Sequence, residues 1–536
     1  MHWDYIIVGA GSAGCVLAER LSADGTKKVL LLEAGGYNVS PLISMPRGMA
    51  KIWMSPKYYW GFPVKEQPGR PEGEKWFYGK GLGGSSAVNG TWYYRGQPKD
   101  YDSWTEMGNT GWGWAQIERS YREMEDYHGP KPAKGRGSGG PLEVITSTDN
   151  SPLTRALLSA GEQFGTDVLA DVNEPGRAGI GRSQMTVDRK GNRVTAYTAF
   201  LRKHQGRENL SIRTGVLVQR VLIENGRAKG VLVTANGREE VIEGAEVILS
   251  AGVLTSPKLL QLSGVGPADL LASHGIPVVV DNPAVGANMS EHMMVSLSYR
   301  LNHMHGHNRE FRGWRTYANA LRYFITGKGL MSRLVPDVSA MVPLTGANDW
   351  PDLQIGIAPF SMESSAEDKP EAGRGKTEKQ PGISFVGFYL RPHSRGNVTI
   401  QSADPAQAPL VDAAWLSDPR DKDLAVSMVK AIRRFARQPA LAGFVAEETI
   451  PGPAVGTDEE LLEALWWMLS TGLHGTGTCR MGPKGANSVV DDRCRVHGVE
   501  GLRVVDCSVM PTPISGNTNG PAMALAWRAA ELIREG

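Results

Sequence analysis

Two stretches of the chain hold residues whose types and spacing could do chemistry. The first is Gly9-Ala10-Gly11-Ser12-Ala13-Gly14. It follows the run Asp-Tyr-Ile-Ile-Val at 4–8, and residues 15–23 behind it carry apolar side chains at helical spacing. Residues 29–32 (Val-Leu-Leu-Leu) make a second strand candidate that ends at Glu33. Strand, glycine turn, helix, strand and acid, in that order, form a dinucleotide cradle. Gly9 permits the tight turn, Gly11 lets the backbone approach a pyrophosphate, and Gly14 lets the helix pack on the strand. Free N–H groups at the helix start favour the negative charge. Glu33, about 20 residues on, is placed to accept hydrogen bonds from a ribose hydroxyl. This pattern alone serves FAD and NAD equally. The second stretch is Leu473-His474-Gly475-Thr476-Gly477-Thr478, a histidine in a small, polar setting. A strand candidate at 501–506 ends at Asp506, and Gly516-Asn517-Thr518-Asn519-Gly520-Pro521 leads into a last helix at 522–534. A lone histidine is more often structural. One beside a strand–loop–helix edge of this kind is a candidate for acid–base work.

Other elements must position these groups. Residues 78–96 hold Gly79, Gly81, Gly83, Gly84 and Gly90 with Ser85, Ser86 and Asn89. Such small residues allow close backbone approach, as a cofactor face needs, although an ordinary glycine loop has the same composition. Residues 100–127 read as helical, and 152–164 as an amphipathic helix. Residues 209–223 and 227–234 read as a meander turning at Asn225-Gly226. Residues 245–252 form a buried strand ending at small residues. From 295 to 455 the texture changes, with strand candidates at 383–390 and 397–403 and a polar insert at 364–380 that reads as mobile. His303, His305 and His307 alternate in a polar loop, where solvation is the expected state, so no metal is expected. The rings of Trp53, Tyr58, Tyr59, Trp60 and Phe62 read as packing under a long loop.

Composition sets the outer bounds. The chain has 536 residues, 41% hydrophobic and 21% charged, which suits an enzyme of two lobes. Lys+Arg 58 against Asp+Glu 56 gives a charge of +2 and argues against nucleic-acid binding by a basic face. Four scattered cysteines (Cys15, Cys479, Cys494, Cys507) with no CxxC suggest neither a disulfide framework nor a zinc site. No apolar run is long enough to span a bilayer. The first strand leaves no room for a signal peptide, so a cytoplasmic location is expected, with peripheral membrane contact left open.

Taken together, these stretches resemble the glucose–methanol–choline (GMC) oxidoreductases, FAD-dependent alcohol dehydrogenases and oxidases. The motifs are GAGSAG with Glu33, GKGLGGSSAVNG at 79–90 and AGVLTSPKLLQLSGVGP at 251–267. VGANMSEH at 285–292, HGTGTCRMG at 474–482 and VVDCSVMPTPISGNTN at 504–519 complete the set. One motif would be weak; six in the family's order are specific. Region 303–380 carries little of the likeness.

The resemblance implies a mixed α/β fold. A Rossmann-like FAD-binding domain would be built from 1–155, 201–294 and 459–536, the last part carrying the catalytic residues. An α+β substrate domain on an antiparallel sheet would use 156–200 and 295–458. Gly9, Gly11, Ser12, Ala13, Gly14, Glu33 and Ala34 would hold the ADP half of FAD. Gly83, Gly84, Ser85, Asn89 and Gly90 would lie against the flavin and its phosphate tail. The Val218 backbone would meet the adenine, and Ala251, Asp506, Asn517 and Thr518 would close over the rest. His474 would be the general base on an alcohol hydroxyl while hydride passes to flavin N5, with Asn517 bonding the same oxygen. Val88 stands where some relatives attach FAD through histidine, so non-covalent FAD is expected. Gly475 replaces a common proline, which makes choline a less certain substrate, and Asp337 falls near a glutamate of bacterial relatives. The expected substrate is a primary alcohol, apolar or aromatic if Trp466, Trp467, Met468 and the rings at 53–62 line the site. A sugar or polyol dehydrogenase, a family member with lyase chemistry and a non-catalytic flavoprotein are the alternatives, the intact His474 and Asn517 arguing against the last. The electron acceptor, oxygen or a quinone or other carrier, is not encoded in these motifs.

Overall fold

The structure is a computed structural model describing residues 2–53, 55–70, 72–130, 135–302, 306–333, 337–344, 350–362 and 377–536. His303, His305 and residues 364–376 of the polar insert lie outside the described residues.

The apolar runs around the glycine turn form parallel strands Trp3–Val8 and Val29–Glu33, with helix Ser12–Ser22 between them. Ile6, Ile7, Leu30 and Leu31 are fully buried, as continuous apolar runs in parallel sheets usually are. Strand Leu210–Thr214 extends this sheet on one side. The second half of Arg238–Leu249, then Leu502–Val504, extend it on the other. The first half of Arg238–Leu249 continues into an antiparallel ribbon with Arg227–Ala235 and Val216–Glu224. Asn225 and Gly226 turn the hairpin with φ of 48° and 75°, both left-handed, as a tight hairpin turn requires. Helix Asn519–Arg534 packs on helix Ser12–Ser22.

Two readings from sequence need correction. Residues 209–223 are not one strand. Thr214 ends opposite Glu33, and Gly215 (φ 70°) donates its N–H to the Gly35 carbonyl before the ribbon begins. Residues 100–127 are two helices, Pro98–Glu106 and Trp114–Met124, followed by strand Glu125–His128. Gly108 and Gly111, both at positive φ, break the run.

The second sheet orders Val445–Ile450, Met293–Leu301, Gly382–Tyr389, Leu353–Ala358, Val338–Val342, Gly179–Arg182 and Val168–Leu169. All its neighbours are antiparallel except the last pair. Alternation assigns its faces. Val295, Leu297, Leu353, Ile355, Ile357, Ile383 and Phe385 face a core shared with helices Pro152–Phe164, Pro419–Ala436 and Asp458–Met468. Met294, Met341, Val386 and Phe388 take the other face, with Trp92 and Tyr94.

The glycine turn tolerates little. A Cβ on Gly14 would lie 1.9 Å from the Gly9 carbonyl oxygen, backbone that cannot swing away. Gly14→Ala should therefore cost at least about 1–3 kcal/mol and lower the thermal midpoint. Gly206→Ala, where a Cβ meets nothing within 4 Å, should leave it unchanged.

Candidate active site

The cofactor candidates gather at one edge of the parallel sheet. Val8 lies opposite Leu32 and Leu249, and Leu249 lies opposite Val504. Gly9, Ala34, Ala251 and Asp506 therefore leave the sheet together, at the carboxyl ends where such folds bind nucleotides. Glu33 ties this edge. Its Oε2 accepts from Ala10 N–H (2.9 Å), and its Oε1 from Gly35 (2.8 Å) and Gly81 (3.0 Å). One carboxylate thus joins the first turn to the glycine-rich 79–90 loop, with acceptor capacity left for a hydroxyl. Gly83 donates to the Ala10 carbonyl at 2.8 Å. A Cβ on Gly84 would lie 2.7 Å from Gly11 Cα, so the two loops touch through backbone. Asp506 plays a similar part, accepting from Gly252 N–H (2.9 Å), Ser256 Oγ (2.5 Å) and Ser508 N–H (2.8 Å). Ser12 Oγ donates to Asn519 Oδ1 at 2.8 Å, which brings two helix N-termini together.

The remaining candidates are more dispersed. Ala13 is buried beneath the turn. Ser85 Oγ accepts from Gly79 N–H at 3.1 Å. Asn89 Oδ1 accepts from Thr91 N–H (3.0 Å) and the buried Arg193 (2.8 Å), beside half-buried Gly90. Val88 is buried and offers no nucleophilic atom. Val218 sits at a β-bulge in the ribbon, buried in the core that holds Leu32. Thr518 precedes the last helix.

FAD fits this edge on a direct observation. A Cβ on Gly11 would meet nothing within 4 Å, so space stands open above the start of helix Ser12–Ser22, where a pyrophosphate needs it.

His474 lies between Phe388 of the second sheet and Asn517, just before the last helix. Its segment pairs with the 285–292 motif: Ser290 and Thr476 exchange backbone hydrogen bonds at 3.0 and 2.9 Å. Leu473 before it has φ of 58°, a conformation that costs a non-glycine residue about 1–2 kcal/mol. A Cβ on Gly472 would lie 2.7 Å from His474 Nδ1, so a side chain there would crowd the ring. The His474 N–H donates to both oxygens of Glu291, at 2.9 and 3.1 Å. Gln354 Nε2 donates to Asn517 Oδ1 at 3.0 Å. That turns the Asn517 Nδ2 toward His474 Nε2, at 2.9 Å. With Nε2 accepting, neutral His474 carries its proton on Nδ1, which meets His292 Nδ1 at 3.1 Å. Phe388 packs against the ring, 5.5 Å between centroids.

Burial sets the charges here. It lowers the His474 pKa to about 3 and holds His292 well below 6.5, the neighbouring His474 adding to the latter. It raises Glu291 to about 8, against hydrogen bonds that pull the other way. The pair of imidazoles is neutral at physiological pH.

His474 and Asn517 thus come together. Sequence reasoning did not single out His292, Glu291, Gln354 or Phe388. The first two stood in the quoted 285–292 motif. Gln354 and Phe388 belong to strands, and only their place in the alternation marks them for the site-facing side. Trp466, Trp467 and Met468 pack on the core of the second sheet. Asp337 is held by Arg333 (2.7 Å) and Ser147 Oγ (2.5 Å). A Gly11→Ala variant should keep the thermal midpoint of the flavin-free protein within about 0.5 kcal/mol of stability. It should also purify with a lower ratio of flavin to protein absorbance, because the methyl enters the pyrophosphate space.

Residues 3–294 and 392–526 match the two models described as GMC oxidoreductase. The alcohol dehydrogenase [acceptor] of Pseudomonas putida is 37% identical over 536 residues, covering 99% of this chain and 95% of that protein. The oxygen-dependent choline dehydrogenase of Photobacterium profundum is 35% identical, covering 99% and 93%. Among solved structures, pyridoxine 4-oxidase from Mesorbium loti superposes with a TM-score of 0.87 at 28% identity, over 100% of both chains. A formate oxidase reaches 0.89 at 25% identity, over 100% of this chain and 98% of that one. Likeness of this extent shows that the protein belongs to the GMC oxidoreductases, FAD-dependent enzymes acting on CH–OH groups.

Proposed function

We propose that the protein oxidises an apolar primary alcohol to the carbonyl, with His474 as general base and Asn517 as its partner on the substrate oxygen. The observation that carries this reading is the 2.9 Å approach of Asn517 Nδ2 to a His474 Nε2 that lacks a proton. A hydroxyl that displaces the Asn517 N–H from Nε2 can donate to Nε2 and accept from the freed Nδ2, which fixes its direction before it loses the proton. Bound FAD supplies the acceptor for the hydride's two electrons. When Nε2 takes the proton it no longer accepts from Asn517, whose N–H is left for the substrate oxygen, while Nδ1 still donates to His292. Glu291 grips the backbone of the same residue and limits how far it can move.

Apolar substrates are favoured by what surrounds the ring. Phe388 stacks beside His474, and Trp92, Val386 and Met294 continue that face. A polyol would set several of its hydroxyls against Phe388, Val386 and Met294, where they find no partner. The proposed electron acceptor is oxygen or a quinone-like carrier.

Anaerobic mixing of the yellow protein with straight-chain alcohols, aromatic alcohols and polyols tests the substrate. Bleaching of the flavin by the first two classes and not by polyols is expected; bleaching by polyols alone overturns the apolar assignment. Admitting air then separates an oxidase, which recovers colour fast with peroxide, from a dehydrogenase. His474→Ala should lose about 10²–10⁴-fold in turnover with FAD retained, and Asn517→Ala should lose less. Burial depresses the His474 pKa, so the base is already unprotonated above about pH 3. The acid limb of kcat/KM should accordingly lie well below 6.5; a limb at the ordinary histidine value would remove His474 from the role.

A further inference from the structure

We propose that helix Trp314–Thr326 docks the protein on the surface of an anionic lipid bilayer. This helix is amphipathic the wrong way round for a solvated element. Its inward side is Tyr323, buried, whose hydroxyl donates to the Ser44 carbonyl and Asn192 Oδ1. Asn319 on the same side donates to Glu310. Its outward side is apolar: Trp314 is 72% exposed, Tyr317 72%, Leu321 61%, Phe324 56% and Ile325 73%. At about 100° per residue these five fall on one contiguous stripe. They make up five of the twelve exposed large apolar side chains among the described residues, on one 13-residue helix. Scattered apolar exposure needs no explanation, but a contiguous stripe marks a contact surface.

Charge says what covers it. From Arg309 to Lys328 the chain carries five cations, Arg309, Arg312, Arg315, Arg322 and Lys328, against one carboxylate, Glu310. Glu310 is already engaged by Arg315 at 2.6 Å. Two copies meeting through this face would bring two sets of like charge into one interface. An anionic headgroup layer attracts the same cations while the stripe enters the acyl boundary, and Trp and Tyr suit the depth between. Arg312 is bonded to the Thr377 carbonyl and Arg315 to Glu310, while Arg309, Arg322 and Lys328 are exposed and long enough to meet headgroups.

The test is flotation of the flavin-loaded full chain with phosphatidylcholine vesicles, with and without phosphatidylglycerol. Binding to the anionic vesicles, weakened by salt, is expected. Leu321→Glu and Ile325→Glu should each weaken it about ten- to a hundredfold. Arg322→Ser and Lys328→Ser should each weaken it about fivefold, on anionic vesicles only. These side chains are exposed, and an unchanged flavin spectrum and thermal midpoint will show each variant folded. Independently, a bimane dye on Leu321→Cys should shift to the blue with anionic vesicles; of the natural cysteines, Cys15, Cys479 and Cys494 are buried and Cys507 half-buried. No flotation of the unmodified protein, flotation unaffected by the Glu variants, or a dimer in solution that those variants dissociate would each overturn the proposal, the last by assigning the stripe to a second copy.

Discussion

A buried carboxylate that collects backbone N–H groups holds the cofactor edge together. Glu33 takes three of them, one each from the first glycine turn, the turn after its own strand and the 79–90 loop, so the first turn cannot shift without moving the 79–90 loop as well. Asp506 does the same for the far side, joining the turn after Leu249 to the one after Val504. Hydrogen bonds to a charged acceptor are about twice as strong as neutral ones, and here water cannot compete for most of them. The glycines around these acids matter because only backbone fits where the loops meet, as at Gly84 on Gly11. The cradle is rigid because polar groups that would be costly to bury alone satisfy one another.

The opposite wall of the site obeys a different constraint. The second sheet gives one face to helices, and the other presents Phe388, Val386, Met294 and Trp92 near His474, with Gln354 among them. Desolvation there keeps two imidazoles neutral although they are in contact. A charged pair would repel, and no carboxylate side chain bonds to either ring among the described residues. The result is one unprotonated nitrogen aimed at Asn517 and one proton parked toward His292. Gln354 sets this arrangement from the second sheet, so the His474 tautomer depends on that sheet packing against the Asn517 loop. The left-handed Leu473 next to it stores local strain, which the grip of Glu291 on the His474 N–H keeps in place.

Much of this was legible in the amino-acid order, for a physical reason. The glycine turn, its flanking strands and Glu33 are neighbours in the chain, and their meaning lies in backbone geometry that short spacing encodes. The capped helices are local too: Pro152–Phe164 opens on Ser151, and Asp458–Met468 on the Thr457/Glu460 capping box. His474 and Asn517 stood out because each sits in an unusual run of small polar residues. Tertiary structure alone decided what those residues meet. His292, Gln354 and Phe388 reach His474 and Asn517 from strands and loops more than eighty residues away, and side-chain contact at that separation leaves no periodic trace. Nor could sequence tell that Trp466 and Trp467 turn to a core while the equally apolar stripe of Trp314, Leu321 and Ile325 turns to solvent. Both helices are amphipathic; which face is covered depends on the neighbours the whole fold supplies.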